Sequence, residues 1–161
     1  MNKESGKSYS VKEATLKLMQ YCAYRDRSQK EVEDKLVEMR MIPEAREQII
    51  IKLMQENFLN EERFARNFVR GKFRIKKWGR HKIKQELKLR EISSPIIKIA
   101  MTEIKESDYR STLYALAEKK IALLTEKDKY KLKKKLSDHL LRKGYEASLV
   151  YEVSDELAST N

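Results

Sequence analysis

The sequence predicts an all-α protein: three tandem three-helix repeats forming an elongated molecule able to present a long, curved face. Three observations predict it. The 161 residues contain only four Gly and two Pro, too few for the closely spaced turns of a β-sandwich or barrel. Helix-start signals followed by apolar residues at helical spacing recur along the whole chain. The pattern also repeats with a period near 50 residues, the signature of stacked units that each bury too little surface alone.

The starts come first. Ser10-Val11-Lys12-Glu13 and Ser28-Gln29-Lys30-Glu31 read as capping boxes, in which the serine accepts from a backbone N–H and the glutamate reaches back. Thr125-Glu126-Lys127-Asp128 is a weaker version, Ile42-Pro43 and Ser94-Pro95 place Pro at a first turn, and Gly79 and Ser107 are plausible caps. Between them run apolar stripes: Val11, Ala14, Leu18, Tyr21 and Cys22; Val32, Leu36 and Met39; Ala45, Ile49, Leu53 and Met54. The middle third gives Phe64, Phe68, Gly71 and Ile75, then Ile83 and Leu87, then Ile96, Ile99 and Ala100. The last third gives Leu113, Leu116, Ala117 and Ile121, then Leu132, Leu136 and Leu140, then Leu149, Val153 and Leu157. Ser28–Met41 aligns with Gly79–Ile92 at an offset of 51, and Leu87–Ile92 with Leu140–Tyr145 at an offset of 53. These matches divide the chain into a flexible tail over 1–8 and repeats over 9–59, 60–106 and 107–158.

The net charge of +11 is unevenly placed. Between Arg63 and Arg90 stand twelve Lys or Arg and one acid, Glu86, so this segment carries the whole excess. A concentrated excess implies a positive field over one surface and an anionic partner. On a helical wheel for about Glu61 to Lys77, Phe64, Phe68, Gly71 and Ile75 form the buried stripe, and Arg63, Arg66, Arg70, Arg74 and Lys77 fall together on the other side with no acid on that face to offset them. Phe73 lies beside the basic stripe. It either packs on a neighbouring unit or touches a partner, as aromatics beside Arg do in base stacking and protein interfaces. The candidate contacts are therefore Arg63, Arg66, Arg70, Lys72, Phe73, Arg74, Lys76, Lys77, Arg80, His81, Lys82 and Lys84. Trp78, at a corner between helices, is read as closing a core. A second cluster, Lys127 to Lys143, nets +6 and offers Lys131, Lys134 and Lys135 as a secondary patch.

Several classes of chemistry find no support. The four glycines are too scattered for a phosphate-cradling loop. His81 and His139 are far apart and lack evident carboxylate partners, so no metal or acid–base site is expected. Cys22 falls on an apolar face and reads as a buried, inert thiol, and the acids from Glu31 to Glu38 read as a solvated face. No apolar run approaches the ~18 residues of a membrane span, and Met1–Ser8 lacks the apolar core of a signal peptide. The expectation is a cytoplasmic, non-enzymatic protein without cofactor or membrane contact, acting as a monomer.

Phe58-Leu59-Asn60-Glu61-Glu62-Arg63-Phe64-Ala65, Phe68-Val69-Arg70-Gly71-Lys72, Trp78-Gly79-Arg80-His81-Lys82-Ile83, Glu86-Leu87 and Ile92 together resemble the central signature of the RecX family of bacterial recombination regulators. Tyr21, Ser28, Glu31, Val32, Lys35 and Leu36 are similar to that family's opening. The resemblance implies three three-helix repeats, binding to the RecA recombinase filament on DNA, and inhibition of its strand exchange and ATPase activities, within homologous recombination, DNA repair and the SOS response. One departure is visible: the family usually has Gly where this chain has Glu91, so the turn before Ile92 is expected to differ, while Gly144 keeps the role in the third repeat. From the residues alone two other readings stay open: a DNA-binding transcription factor acting without RecA, and an RNA-binding protein. Lysines and arginines with few amides suit phosphate contact more than base readout.

Overall fold

A computed structural model describes residues 8–160 of the chain, so the expected tail over 1–8 lies, apart from Ser8, outside the described residues. Nine helices and no strand occupy the described residues: α1 Val11–Tyr24, α2 Gln29–Glu38, α3 Pro43–Gln55, α4 Glu61–Arg74, α5 Arg80–Leu89, α6 Ser94–Met101, α7 Glu106–Leu123, α8 Lys129–Arg142 and α9 Ala147–Ser159. Extensive helix packing pairs α1 with α3 and α2 with α3, α4 with α5 and α6, and α7 with α8 and α9, with α5 also against α6 and α8 against α9. The units are three helix triplets in chain order.

The caps explain the starts. The Ser10 and Ser28 hydroxyls accept from the N–H groups of Glu13 and Glu31, each at 3.1 Å. The third repeat departs from expectation: Asp128, not Thr125, caps α8, accepting from Lys131 N–H at 3.0 Å, because the carboxylate reaches the third N–H while Thr125 lies in the preceding loop. Ser107 sits inside α7, which starts after Lys105, and Ser93 holds the cap position of α6.

One motif recurs at the C-terminus of every middle helix. Arg40, Glu91 and Gly144 all have positive φ (60°, 59° and 98°). The next residue then donates its N–H back: Met41 to Leu36, Ile92 to Leu87 and Tyr145 to Leu140, at 3.0, 3.1 and 3.3 Å. This is the Schellman termination, with both members of each pair buried. The turn before Ile92 therefore keeps the shared geometry despite Glu91. A left-handed non-glycine costs about 1 kcal/mol, and burial of Ile92 against Leu87 in the core offsets it.

Two cores run through the chain. Repeat 1 has its own, from Ala14 to Leu59. Repeats 2 and 3 share one, from Phe64 to Leu157. The expected stripe of α4 is corrected here. Phe64 is buried, but Ile75 is 78% exposed, while Ala65, Val69 and Phe73 are buried and Phe68 only half so. Helix α4 ends at Arg74, before Ile75, and buries a wide arc because it meets both its own repeat and the next one. Val11, Met54 and Ile99, expected on buried stripes, are also exposed.

Candidate anion-binding interface

The arginines of the basic stripe are largely committed to acids from elsewhere in the chain. Arg63 bonds Asp26 at 3.0 Å and the carbonyls of Asn57 and Phe58 at 3.2 and 3.1 Å. Asp26 also accepts from the amide of Asn67. Arg66 is held between Glu62 on its own helix and Glu103, after α6, at 3.1 and 3.0 Å. Arg70 reaches the same Glu103 at 3.5 Å and meets Asn67. The expectation that no acid offsets this stripe is corrected. Glu62 stands on α4 itself, but Asp26 and Glu103 lie 37 residues from Arg63 and Arg66 in sequence, so a wheel of α4 alone does not show them. Glu61 completes the junction of repeats 1 and 2 by accepting the N–H of Gln29 at 3.2 Å, and its partial burial raises its pKa above the usual carboxylate value.

The junction of repeats 2 and 3 is built from rings and glycines. Phe73, Tyr109 and Tyr145 stack in series with centroids 6.0 and 5.1 Å apart. Phe73 is thus packed on the neighbouring unit and is no surface contact, which removes it from the candidate set. Tyr109 is fully buried; its hydroxyl accepts from Arg80 N–H at 3.0 Å and donates to Glu146 at 3.0 Å. Burial, with the Glu146 charge, pushes its pKa up to about 12. Arg80 lies over the Tyr109 ring at 3.8 Å and pairs with Glu106 at 2.9 Å and Glu146 at 3.1 Å. Burial works against the guanidinium charge, but these partners together hold its pKa above the ordinary arginine value. Arg80 therefore ties two repeats together and is not an open cation. Gly79 N–H donates to Lys143 O at 2.7 Å and His81 N–H to Gly144 O at 3.0 Å, while Tyr145 donates to Lys77 O at 2.9 Å. A Cβ on Gly79 would stand 2.2 Å from Gly144 C, and one on Gly144 2.4 Å from Lys82 Cβ. Both positions require glycine for this approach, and Gly144 requires it for its φ as well.

Around that junction lie the cations without acidic partners among the described residues. Lys72 and Lys82 place their ammonium groups 4.9 and 4.6 Å from the Trp78 ring centroid. Lys143 reaches the carbonyl of Lys76 at 3.4 Å. Trp78 is half-buried against the shared core, so its expected core-closing role holds, yet it is flanked by two lysines. Arg74, Lys76, Lys77, His81 and Lys84 are exposed nearby in sequence and have no ion pair. At Trp78 the two lysines are offset by cation–π contacts, while His81 and Lys84 line a cleft shared with Glu106 and Glu146. In the third repeat, Lys134 and Lys135 pair with Asp138 at 3.2 Å and Glu126 at 3.1 Å, and Lys131 is exposed without a pair. Cys22 is buried, and burial raises its thiol pKa, as its apolar position predicts. Among the described residues no group of His, Cys, Asp and Glu could hold a metal, and no helix is long and apolar enough to cross a membrane.

The comparisons with known proteins agree with this architecture. Residues 60–101 match the profile of the second three-helix domain of RecX, and residues 107–153 that of the third. The regulatory protein RecX of Clostridium perfringens strain 13 is 37% identical over 122 residues, covering 74% of this chain and 57% of that protein. The chain thus spans a little over half the length of that relative. The RecX of Prosthecochloris aestuarii is 29% identical over 85% of this chain and 88% of its own. The crystal structure of RecX from Lactobacillus salivarius superposes with a TM-score of 0.84 at 24% identity, over 91% of this chain and 96% of the other, a likeness of fold. Nine helices in three triplets, and two successive domain matches that together span more than half the chain, place it in the RecX family of regulatory proteins.

Proposed function

We propose that this chain is a negative regulator of the RecA recombinase that binds the RecA–DNA filament and lowers its strand exchange and ATP hydrolysis. Relatives named as regulatory proteins support the choice of RecA as target. The observation that carries the surface assignment is the pair Lys72 and Lys82 flanking Trp78, with Lys143 on the backbone carbonyl of Lys76 and no acid paired with any of the three. Lysine ammonium groups on flexible stems neutralise phosphates as point charges without reading base edges, so contact with DNA is sequence-independent and steeply salt-dependent. Arg74, Lys77, His81 and Lys84 are further candidate contacts, and Lys131 is one on repeat 3. Arg63 and Arg80 act indirectly, by fixing the repeats to one another, and Arg66 and Arg70 by pinning α4 to Glu103 within repeat 2, so that an extended molecule can follow a filament. No step in this reading breaks or makes a covalent bond.

The test is co-sedimentation of the protein with RecA on single-stranded DNA and a non-hydrolysable nucleotide, beside the rate of RecA-driven ATP hydrolysis. The reading expects co-sedimentation only with assembled filament and a falling hydrolysis rate. Free binding to one duplex sequence, with hydrolysis unaffected, would favour a transcription factor.

A further inference from the structure

Outside the repeat 2–3 junction, one cavity combines rings, cations and an unsatisfied buried group. It lies between α8 and α9, has a volume of about 370 Å³, and is lined by Tyr130, Lys133, Lys134, Ser137, Asp138 and Tyr151. Tyr130 is 80% and Tyr151 48% exposed. Solvent contact of two rings at one opening is costly unless something covers them. Ser137 is only 4% exposed, and its hydroxyl has no hydrogen-bond partner among the described residues. A buried hydroxyl left unmade costs free energy that a ligand acceptor would recover. Lys133 and Lys134 stand in surface pairs with Asp155 and Asp138. Such pairs contribute little and exchange readily for a phosphate.

Rings for a planar face, ammonium groups for an anion and a hydroxyl donor at the floor are the complement of one chemical class. We infer that this cavity is a docking site for an unpaired nucleotide, its base laid against Tyr130 or Tyr151, its phosphate at Lys133 and Lys134, and a base acceptor within reach of the Ser137 hydroxyl. A base inside a duplex has both faces stacked and offers none to a tyrosine, so the site selects single strands. The inference rests on the proposed function only in taking nucleic acid as an anionic partner. Its test contains no RecA, so failure here leaves the filament reading standing, and failure of inhibition leaves this site standing.

The experiment is fluorescence anisotropy of the full chain with three labelled probes of equal length: oligo-dT, a duplex, and an abasic deoxyribose-phosphate strand. The variants are Tyr130→Ala with Tyr151→Ala, and Ser137→Ala, each checked by circular dichroism. Both tyrosines are exposed, so the double variant keeps the fold. It is expected to lose about tenfold in affinity for oligo-dT, the range of one lost stacking contact, and to leave duplex and abasic binding unchanged. Ser137→Ala is expected to lose a few-fold on oligo-dT alone. Equal loss on all three probes, or no loss on any, overturns the site: the first outcome would make this a charged surface only, the second a groove that nucleic acid does not enter.

Discussion

The two junctions between repeats solve the same problem with opposite chemistry. Repeats 1 and 2 are joined through Asp26, Glu61, Arg63 and Asn67, half-exposed groups that meet as ion pairs and hydrogen bonds. Repeats 2 and 3 are joined by Phe73, Tyr109 and Tyr145 in one continuous core, with two backbones pressed together at Gly79 and Gly144. The difference decides where the molecule can bind an anion. The polar junction engages Arg63 with Asp26, and within repeat 2 Arg66 and Arg70 are engaged by Glu103. The apolar junction commits only Arg80 in this way, to Glu106 and Glu146, and the lysines that rim it have no acid partner among the described residues. It also makes the second junction the stiffer, since surface ion pairs contribute only about 0–1 kcal/mol each and buried aromatics several.

The largest way to break this contrast is at the glycines. Gly144→Ala combines a left-handed φ with a clash against Lys82, and is expected to cost about 3 kcal/mol or more in chemical denaturation. Gly71→Ala, inside α4 with no neighbour near its missing Cβ, is the opposite case and is expected to stabilise by about 0.5–1 kcal/mol. If both glycines respond alike, the close approach is not what holds repeats 2 and 3.

Alkaline pH probes the same junction. The pKa of Tyr109 is raised from 10.0 to about 12 in the folded chain. The folded state therefore keeps a proton that the unfolded state gives up, and stability falls as pH rises through that window, by about 2–3 kcal/mol near its top. Melting curves from pH 9 to 12, compared with Tyr109→Phe, measure it. The variant removes this alkaline component and loses the bond to Glu146 at neutral pH.

A smaller effect is expected at the other junction. Asp26→Asn removes the charge that holds Arg63 and is expected to cost at most about 1 kcal/mol, while loosening repeat 1 against the rest. Distances between spin labels on repeats 1 and 2 should broaden, and those between repeats 2 and 3 should not. Broadening of both would mean the junctions are not independent.

How far the sequence shows all this depends on how local each feature is. The helices, the triplet order and the repeat offsets are written in neighbouring residues: offsets of 51 and 53 carry Arg40 onto Glu91 and Glu91 onto Gly144, the left-handed caps of the three middle helices. The engagement of the arginines is not, because Glu103 reaches Arg66 from 37 positions away and Glu146 reaches Arg80 from 66. Helical periodicity reports a side chain's direction, not what the next repeat brings to meet it. Phe73 stays open between two readings for the same reason, and its packing on Tyr109 of the next repeat decides for the first of them. Trp78 stood apart in sequence, but its pairing with Lys72 and Lys82 needs the turn that brings α5 back over α4.

The central claim is that the lysines at the apolar junction, and not the arginines of α4 that pair with Glu103, form the filament-binding surface. A triple variant, Lys72, Lys76 and Lys82 to Glu, and a double variant, Arg66 and Arg70 to Glu, test it side by side. RecA-driven ATP hydrolysis on single-stranded DNA is measured against each, with a melting curve. The lysine set is expected to keep its melting temperature and to need about tenfold or more protein for the same inhibition, with a shallower salt dependence. The arginine set is expected to melt earlier, since its new carboxylates face Glu103, and to inhibit almost normally at temperatures where it is folded. A folded lysine variant that inhibits at wild-type concentrations, beside an arginine variant that does not, would contradict the account.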